Sequence, residues 1–181
     1  GRTGQQKDTY NNVKVVPEVV INIVDYSMVH QMSLASSPYN PDEDEFVKSG
    51  LTAIESEGVK PWRVKESPVQ MECKVNEVIE LGEGGGAGNL IVCEILKIHI
   101  VESILDENQA IDQNKIDLVA RMGGDWYCRA DENSMFEIKK PITTRGIGVD
   151  AMPQEIVNSE VLTGNDIGQL GGIETLPTET E

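Results

Sequence analysis

Aromatic side chains are scarce in this chain: Phe, Trp and Tyr together make up 4% of its 181 residues. A flat ligand will therefore find no cage of many rings. Cations are outnumbered, with 15 Lys and Arg against 31 Asp and Glu and a formal net charge of −16. A nucleic-acid backbone or an anionic membrane surface needs clustered Lys and Arg, so neither is the expected partner. No apolar run is long enough to span a bilayer, and no signal-peptide pattern opens the sequence. Histidine occurs only as His30 and His99, and neither has a cysteine or second histidine at ligand spacing. The three cysteines, Cys73, Cys93 and Cys128, form no CxxC pair or other zinc spacing. An odd, scattered set suits a reducing cytoplasm better than a disulfide framework. GxSxG is missing too, which leaves Ser-His-Asp hydrolysis little support.

What remains is an ordinary folded composition, 39% hydrophobic and 25% charged. The length allows one domain with a sizeable core and an appended arm. Residues 8–14 read as a short helix that Asp8 or Thr9 would cap and Pro17 would end. The β-branched run EVVINIVDY predicts a strand buried on both faces. Residues 25–35 turn helical, residues 36–46 form a Pro-rich acidic loop, and SGLTAIES predicts a short strand. Val69, Met71, Cys73, Val75, Ile79 and Leu81 alternate with mostly polar residues, as a half-buried strand requires. NLIVCEILKIHIV is apolar on both parities and predicts a central strand. With GEGGGAG between them, these two runs should form a long hairpin in which Cys73 lies nearer Lys97 than Cys93. DWYCRA and MFEIKK are expected to pair across the polar turn DENS. Beyond Pro141 the composition shifts to Gly, Thr and acidic residues, an extended arm with a helical turn after Pro153 and a frayed final ETLPTETE.

Several motifs have plain readings. Gly82, Gly84 and Ala87 satisfy GxGxxA, but dinucleotide binding needs a helix directly after the loop, and here a strand follows. Asp106, Asn108 and Asp112 suggest a calcium loop, yet Ile111 and Asp117 stand where Gly and a bidentate Glu are needed. A polar turn is the better reading. Residues 42–45, all acidic, mark a solvated helix start, and His99 reads as a satisfied core or barrel-end histidine. Two stretches stay open. At the first, Lys7 offers a charge, Thr9 a hydroxyl and the helix start its N–H groups, which suits an anion or an ordinary capped helix. At the second, Gly123 and Gly124, flanked by Arg121 and Tyr127, permit a close approach or positive φ, and a bulge explains them equally well.

The order KDTYNNV, NIVDY, MSLASSPYNPDEDEF, GLTAIESEGVKPWRVKESPVQMECKV, GGGAGNLIVCEI and DLVARMGGDWYCRA resembles the flavin reductase-like family of FMN-binding split-barrel proteins. That group includes flavoredoxin-like electron carriers. The resemblance runs over residues 7–129, and GIGVD with VLTGNDIGQLG is similar to the C-terminal extension of one bacterial branch. It implies a mainly β fold, a Greek-key β-barrel with peripheral helices over residues 1–140, and an extension over 141–181. It also implies FMN as cofactor, NAD(P)H as reductant and a homodimer with flavin sites near the subunit interface.

Residue by residue, Lys7 and Thr9, with Asp8 alongside, match the part that holds the FMN phosphate. Ser33, Ala35, Ser36 and Ser37 match the loop near the flavin. Arg121, Gly123, Gly124, Asp125 and Tyr127 match the GGDxY segment that lines the flavin or the nicotinamide approach. Arg121 or His99 would supply a donor near the ring's N1–C2 edge. No catalytic acid, base or metal ligand is implied, since the flavin carries the chemistry. In the family the phosphate segment follows the first barrel strands and an Asn-Pro/Ser-rich loop, which nothing in these residues matches. The expectation is a chain lacking the N-terminal part of the domain. A non-enzymatic FMN carrier, or a flavin-free structural or dimerisation module, are the other readings.

Overall fold

The computed structural model describes residues 6–83, 86–138 and 144–176. It divides into two compact units, Gly1–Met135 and Phe136–Glu181. Gly84 of the glycine loop, the start of the arm at Pro141 and the last five residues lie outside the described residues.

In the first unit, helix α1 (Asp8–Val15) carries an acidic residue in its first turn and Lys14 in its last, the favourable sense for the helix dipole. It stops just before Pro17, whose ring cannot continue a helix. Its N-cap is Lys7, with no side-chain cap bond, rather than Asp8 or Thr9, both of which are already helical. Strand β1 (Glu18–Asn22) follows. A 3-10 turn, Tyr26–Met28, whose cap Asp25 accepts from Met28 N–H, then leads into α2 (Val29–Ala35). Helix α3 (Glu45–Ser49) starts on the Asp44 carboxylate, which accepts from Phe46 N–H at 2.8 Å. It ends at Gly50 in the left-handed region, φ 69°. The expected SGLTAIES strand shrinks to β2 (Ala53–Ile54), paired with β3 (Arg63–Val64).

The long hairpin forms as expected: β4 (Val69–Glu80) runs antiparallel to β5 (Asn89–Ile100), and β1 pairs with the other edge of β4. Two register shifts cut it. Glu72 faces Lys97 while Cys73 faces Ile95, so Leu96 is an extra residue on β5. Val75 faces Cys93 while Glu77 faces Val92, so Asn76 is an extra residue on β4. Side chains alternate along a strand and paired residues share a face, so each bulge shifts the phase of one strand. The result is one apolar face. Val69, Met71, Cys73, Val75 and Val78 share it with Ile100, Ile98, Ile95, Cys93 and Ile91. The opposite face carries Gln70, Glu72, Lys74 and Glu77 with His99, Lys97 and Glu94, and toward the loop Ile79, Leu90 and Val92.

This corrects two expectations. β5 is an edge strand among the described residues, not a central one, with Ile95, Leu96 and Ile98 49%, 51% and 51% exposed. Its apolar residues occupy both parities largely because the bulge at Leu96 re-phases the strand. β1 is likewise an edge, half-buried rather than buried on both faces, with Ile21 exposed. Cys73 stands opposite Ile95, and all three cysteines are free.

Val69, Ile104 and Ile116 form the buried cluster at the start of β4, packed with Ile23, Met71, Ile111 and Leu118. Ile116 ends α4 (Gln113–Ile116), which Asp112 caps. Strands β6 (Val119–Gly123) and β7 (Trp126–Arg129) then pair with each other. Among the described residues the expected pairing of DWYCRA with MFEIKK is not found, and Lys139 and Lys140 of that segment lie outside them. The turn lies earlier, at Gly123 and Gly124, and DENS instead closes on itself through the Asp131 carboxylate and the Ser134 hydroxyl.

The second unit contains a 3-10 turn (Val149–Ala151), α5 (Gln154–Val157) after Pro153, and α6 (Gly164–Leu170). Thr163 and Asp166 form a reciprocal capping box at the start of α6. A Cβ at Gly146 would come within 2.5 Å of the Gly171 carbonyl, so only glycine fits there.

Candidate functional site

The start of α1 is open. Lys7, Asp8 and Thr9 are all exposed, and the first amides of a helix have no intrahelical acceptor. The helix is held from its other face. Buried Tyr10 donates its hydroxyl proton to Glu80 at the far end of β4, and Lys14 bonds the same hydroxyl and lies 3.0 Å from Glu80. A cleft beside the helix start is lined by Asp8, Asn12, Asn40, Pro41, Glu43 and Glu45. Its three carboxylates, of which only Glu43 has a cation beside it, Lys48 at 2.8 Å, make it hostile to a phosphate.

That cleft links α1 to the segment that follows Ser33, Ala35, Ser36 and Ser37. Ser33 and Ala35 lie in α2, while Ser36 caps its C-terminus and donates to the Met32 carbonyl at 3.0 Å. Ser37 N–H bonds the Leu34 carbonyl. Ser33 and Ser36 are exposed.

Arg121 and Tyr127 stand directly across from one another on β6 and β7. Between them the register shifts, and Gly123 and Gly124 take φ of 134° and 54°, values that L side chains rarely adopt. Arg121 Nη2 closes the turn on the Gly124 carbonyl at 3.0 Å. The bulge and the positive φ are thus both present. The hairpin meets the rest of the unit at residues 25–26, through a bridge between Asp25 and Leu118 and a bond from Tyr26 N–H to the Asp117 carbonyl.

The polar face of the long hairpin holds a site that alternation alone hid. Glu72 is fully buried. Its carboxylate accepts from Glu57 N–H at 2.9 Å and Gly58 N–H at 2.6 Å, and His99 Nε2 lies at 2.7 Å. Arg63 Nε stands 3.7 Å away, and Arg63 also donates to Gln70 and to the Glu55 carbonyl. Burial alone would push the Glu72 carboxyl up, but the two amides and His99 outweigh it and hold the pKa down at about 2. Lys97 pairs with Glu57 at 2.5 Å, while Lys60 N–H and Val64 N–H bond Glu18 and Asn22 of β1. Residues 55–66 are thereby laid across the sheet by polar contacts. His99 is committed to Glu72 and Glu57, while His30 is exposed on α2. Among the described residues no group of three or more His, Cys, Asp or Glu could hold a metal ion, and no helix is long and apolar enough to cross a membrane. Asp106 caps its own turn by accepting from Asn108 and Ala110 N–H, the plain turn expected of that stretch.

Comparison with known proteins agrees with this architecture. A family profile described as flavin reductase like domain matches residues 3–116. An uncharacterized protein of Aquifex aeolicus (strain VF5) is 34% identical over 124 residues, covering 68% of this chain and 61% of that protein. The chain therefore spans less than two thirds of that relative's length. Nitrilotriacetate monooxygenase component B from Bacillus cereus superposes with a TM-score of 0.68 at 30% identity, covering 75% of this chain and 67% of that one. A protein with a split barrel domain from Shewanella frigidimarina NCIMB 400 gives a TM-score of 0.62 at 27% identity, covering 72% and 65%. With its mainly β first unit and the profile match over most of that unit, the chain belongs to the flavin reductase-like family and has a split-barrel fold.

Proposed function

We propose that the chain binds FMN and works as an NAD(P)H-dependent flavin reductase-type oxidoreductase in the cytoplasm. The observation that carries this reading is the exposed start of α1, with Lys7, Thr9 and open backbone N–H groups, in a chain of this family. Lys7 and Thr9 would hold the phosphate, aided by the helix dipole, with Asp8 turned to the acidic cleft. Ser33, Ala35, Ser36 and Ser37 would border the flavin, and Arg121, Gly123, Gly124 and Tyr127 would line the ring or the nicotinamide approach. Bound FMN supplies hydride acceptance and onward electron transfer. The chain's own task is to bind, orient and exclude water, which needs no triad or metal.

The exposed apolar stripe Ile95, Ile98 and Ile100 on β5 supports a homodimer, since one such edge can pack against its symmetry mate. Residues 1–140 would form the flavin domain and 141–181 the extension.

The test is a visible absorption spectrum of the protein before and after FMN, then after NADH or NADPH. A bound-flavin spectrum that bleaches supports the reductase, and exchanging Lys7 or Thr9 for Ala should weaken uptake. Uptake without bleaching identifies an electron carrier. A protein that stays colourless overturns the flavin reading and leaves a structural or dimerisation module.

A further inference from the structure

We propose that Arg129 is a positioning residue that, with Asp117 and Tyr26, aims the β6–β7 hairpin. The inference rests on the reading of Arg121–Tyr127 as part of the flavin site. From Ala120 to Arg129 every residue of this hairpin is exposed, so no core of its own fixes its direction. A Cβ added at Gly123 or Gly124 would meet nothing within 4 Å, so no neighbour packs against the tip where those side chains would stand. Direction must come from the base. There Arg129 Nε and Nη2 donate to the two Asp117 carboxylate oxygens at 2.7 and 2.8 Å. The same guanidinium lies 4.0 Å from the centroid of the Tyr26 ring. Exposed ion pairs usually contribute little, but a two-pronged fork that also stacks on a ring is the geometry in which they matter.

Asp117 is held at φ 51°, a conformation Asp tolerates and most residues avoid. That turn aims its carboxylate at Arg129 while its carbonyl accepts from Tyr26 N–H at 2.9 Å. Arg129 is two residues beyond Tyr127 and shares its face of β7, opposite Val119 and Arg121 respectively. A planar fork fixed at Arg129 thus sets the orientation of Tyr127. The pair belongs to no other part of the proposed machinery: neither Arg129 nor Asp117 lies at the hairpin tip.

The experiment uses the full chain, Arg129→Leu and, as a control that keeps the ring, Tyr26→Phe. Amide hydrogen exchange reads the hairpin without flavin, and visible circular dichroism reads bound FMN. Arg129→Leu should speed exchange of the hydrogen-bonded amides over residues 119–129 by about fivefold and change the flavin dichroism. Tyr26→Phe should do neither. Unchanged exchange in Arg129→Leu overturns the clamp. Faster exchange with unaltered dichroism overturns the positioning role. If the unmodified chain takes up no FMN, the flavin reading fails and with it the positioning of Tyr127 for flavin, whereas the exchange result still decides the clamp.

Discussion

β4 and β5 are neighbours of equal length, and the more apolar of the two is the more exposed. β4 carries Gln70, Glu72, Lys74 and two further glutamates, yet Val69, Gln70, Glu72, Cys73 and Val75 are buried. β5 is rich in Ile, Leu and Val, yet most of its side chains reach solvent. Position in the sheet decides burial here, ahead of hydropathy. β4 lies between two strands and beneath residues 55–66, whereas β5 has β4 alone beside it among the described residues. Polar contacts cover the Glu72 face of β4, so that face is held by a carboxylate where a grease layer would be the ordinary solution.

The severest way to break the comparison is Glu72→Ala. It leaves His99 and two amides without their acceptor, removes the carboxylate beside Arg63, and should cost about 3 kcal/mol in urea unfolding. If the loss is no greater than for an exposed glutamate, β4 is not held by that carboxylate. Acid gives the next largest effect. Glu72 has its folded pKa depressed to about 2 from an ordinary 4.5, so its stabilisation is complete above pH 4.5 and drains away as pH falls toward 2. Stability measured across that window should lose part of its slope in Glu72→Gln. Gly58→Ala sharpens the contrast more gently. Its Cβ would sit 3.2 Å from Glu72 Oε2 and should cost about 1 kcal/mol by calorimetry. Smallest of all is Ile98→Thr on β5, where half the side chain is already exposed. A change under about 0.5 kcal/mol is expected from the isolated chain. A much larger loss that depends on protein concentration would mean that a second copy covers the face.

Much of the frame is legible in the residues. Alternation from Val69 to Leu81, a glycine loop and a second apolar run dictate the long hairpin, and Pro17 dictates where α1 must stop. Gly123 and Gly124 announce their positive φ. The burial of Glu72 has no signature, because a polar residue at every second position reads the same whether water or a fixed amide faces it. β5 misleads for a different reason: a bulge is invisible to parity, so apolar residues on both parities look like two buried faces. The true partner of DWYCRA was hidden because its turn falls inside GGDW rather than at the more polar DENS. Thr163 and Asp166 did carry a signal, a Thr three residues ahead of an acid, that a search for capping boxes would find. For the candidate site, Lys7, Thr9, Arg121 and Tyr127 could be named from resemblance, but Arg129 could not, since its partners lie 12 and 103 residues away in the chain.

The two bulges of the long hairpin cancel, one extra residue on each strand, and this sets which sequence changes the ribbon can absorb. Exchanges of one apolar residue for another along β5 leave its phase intact. Deleting Leu96 alone would remove one bulge and keep every pair on its present face, Met71 with Ile98 and Cys73 with Ile95 included. The bulges are therefore where this ribbon can absorb a deletion, whereas a residue lost between paired positions turns over the stretch beyond it until a bulge takes up the difference.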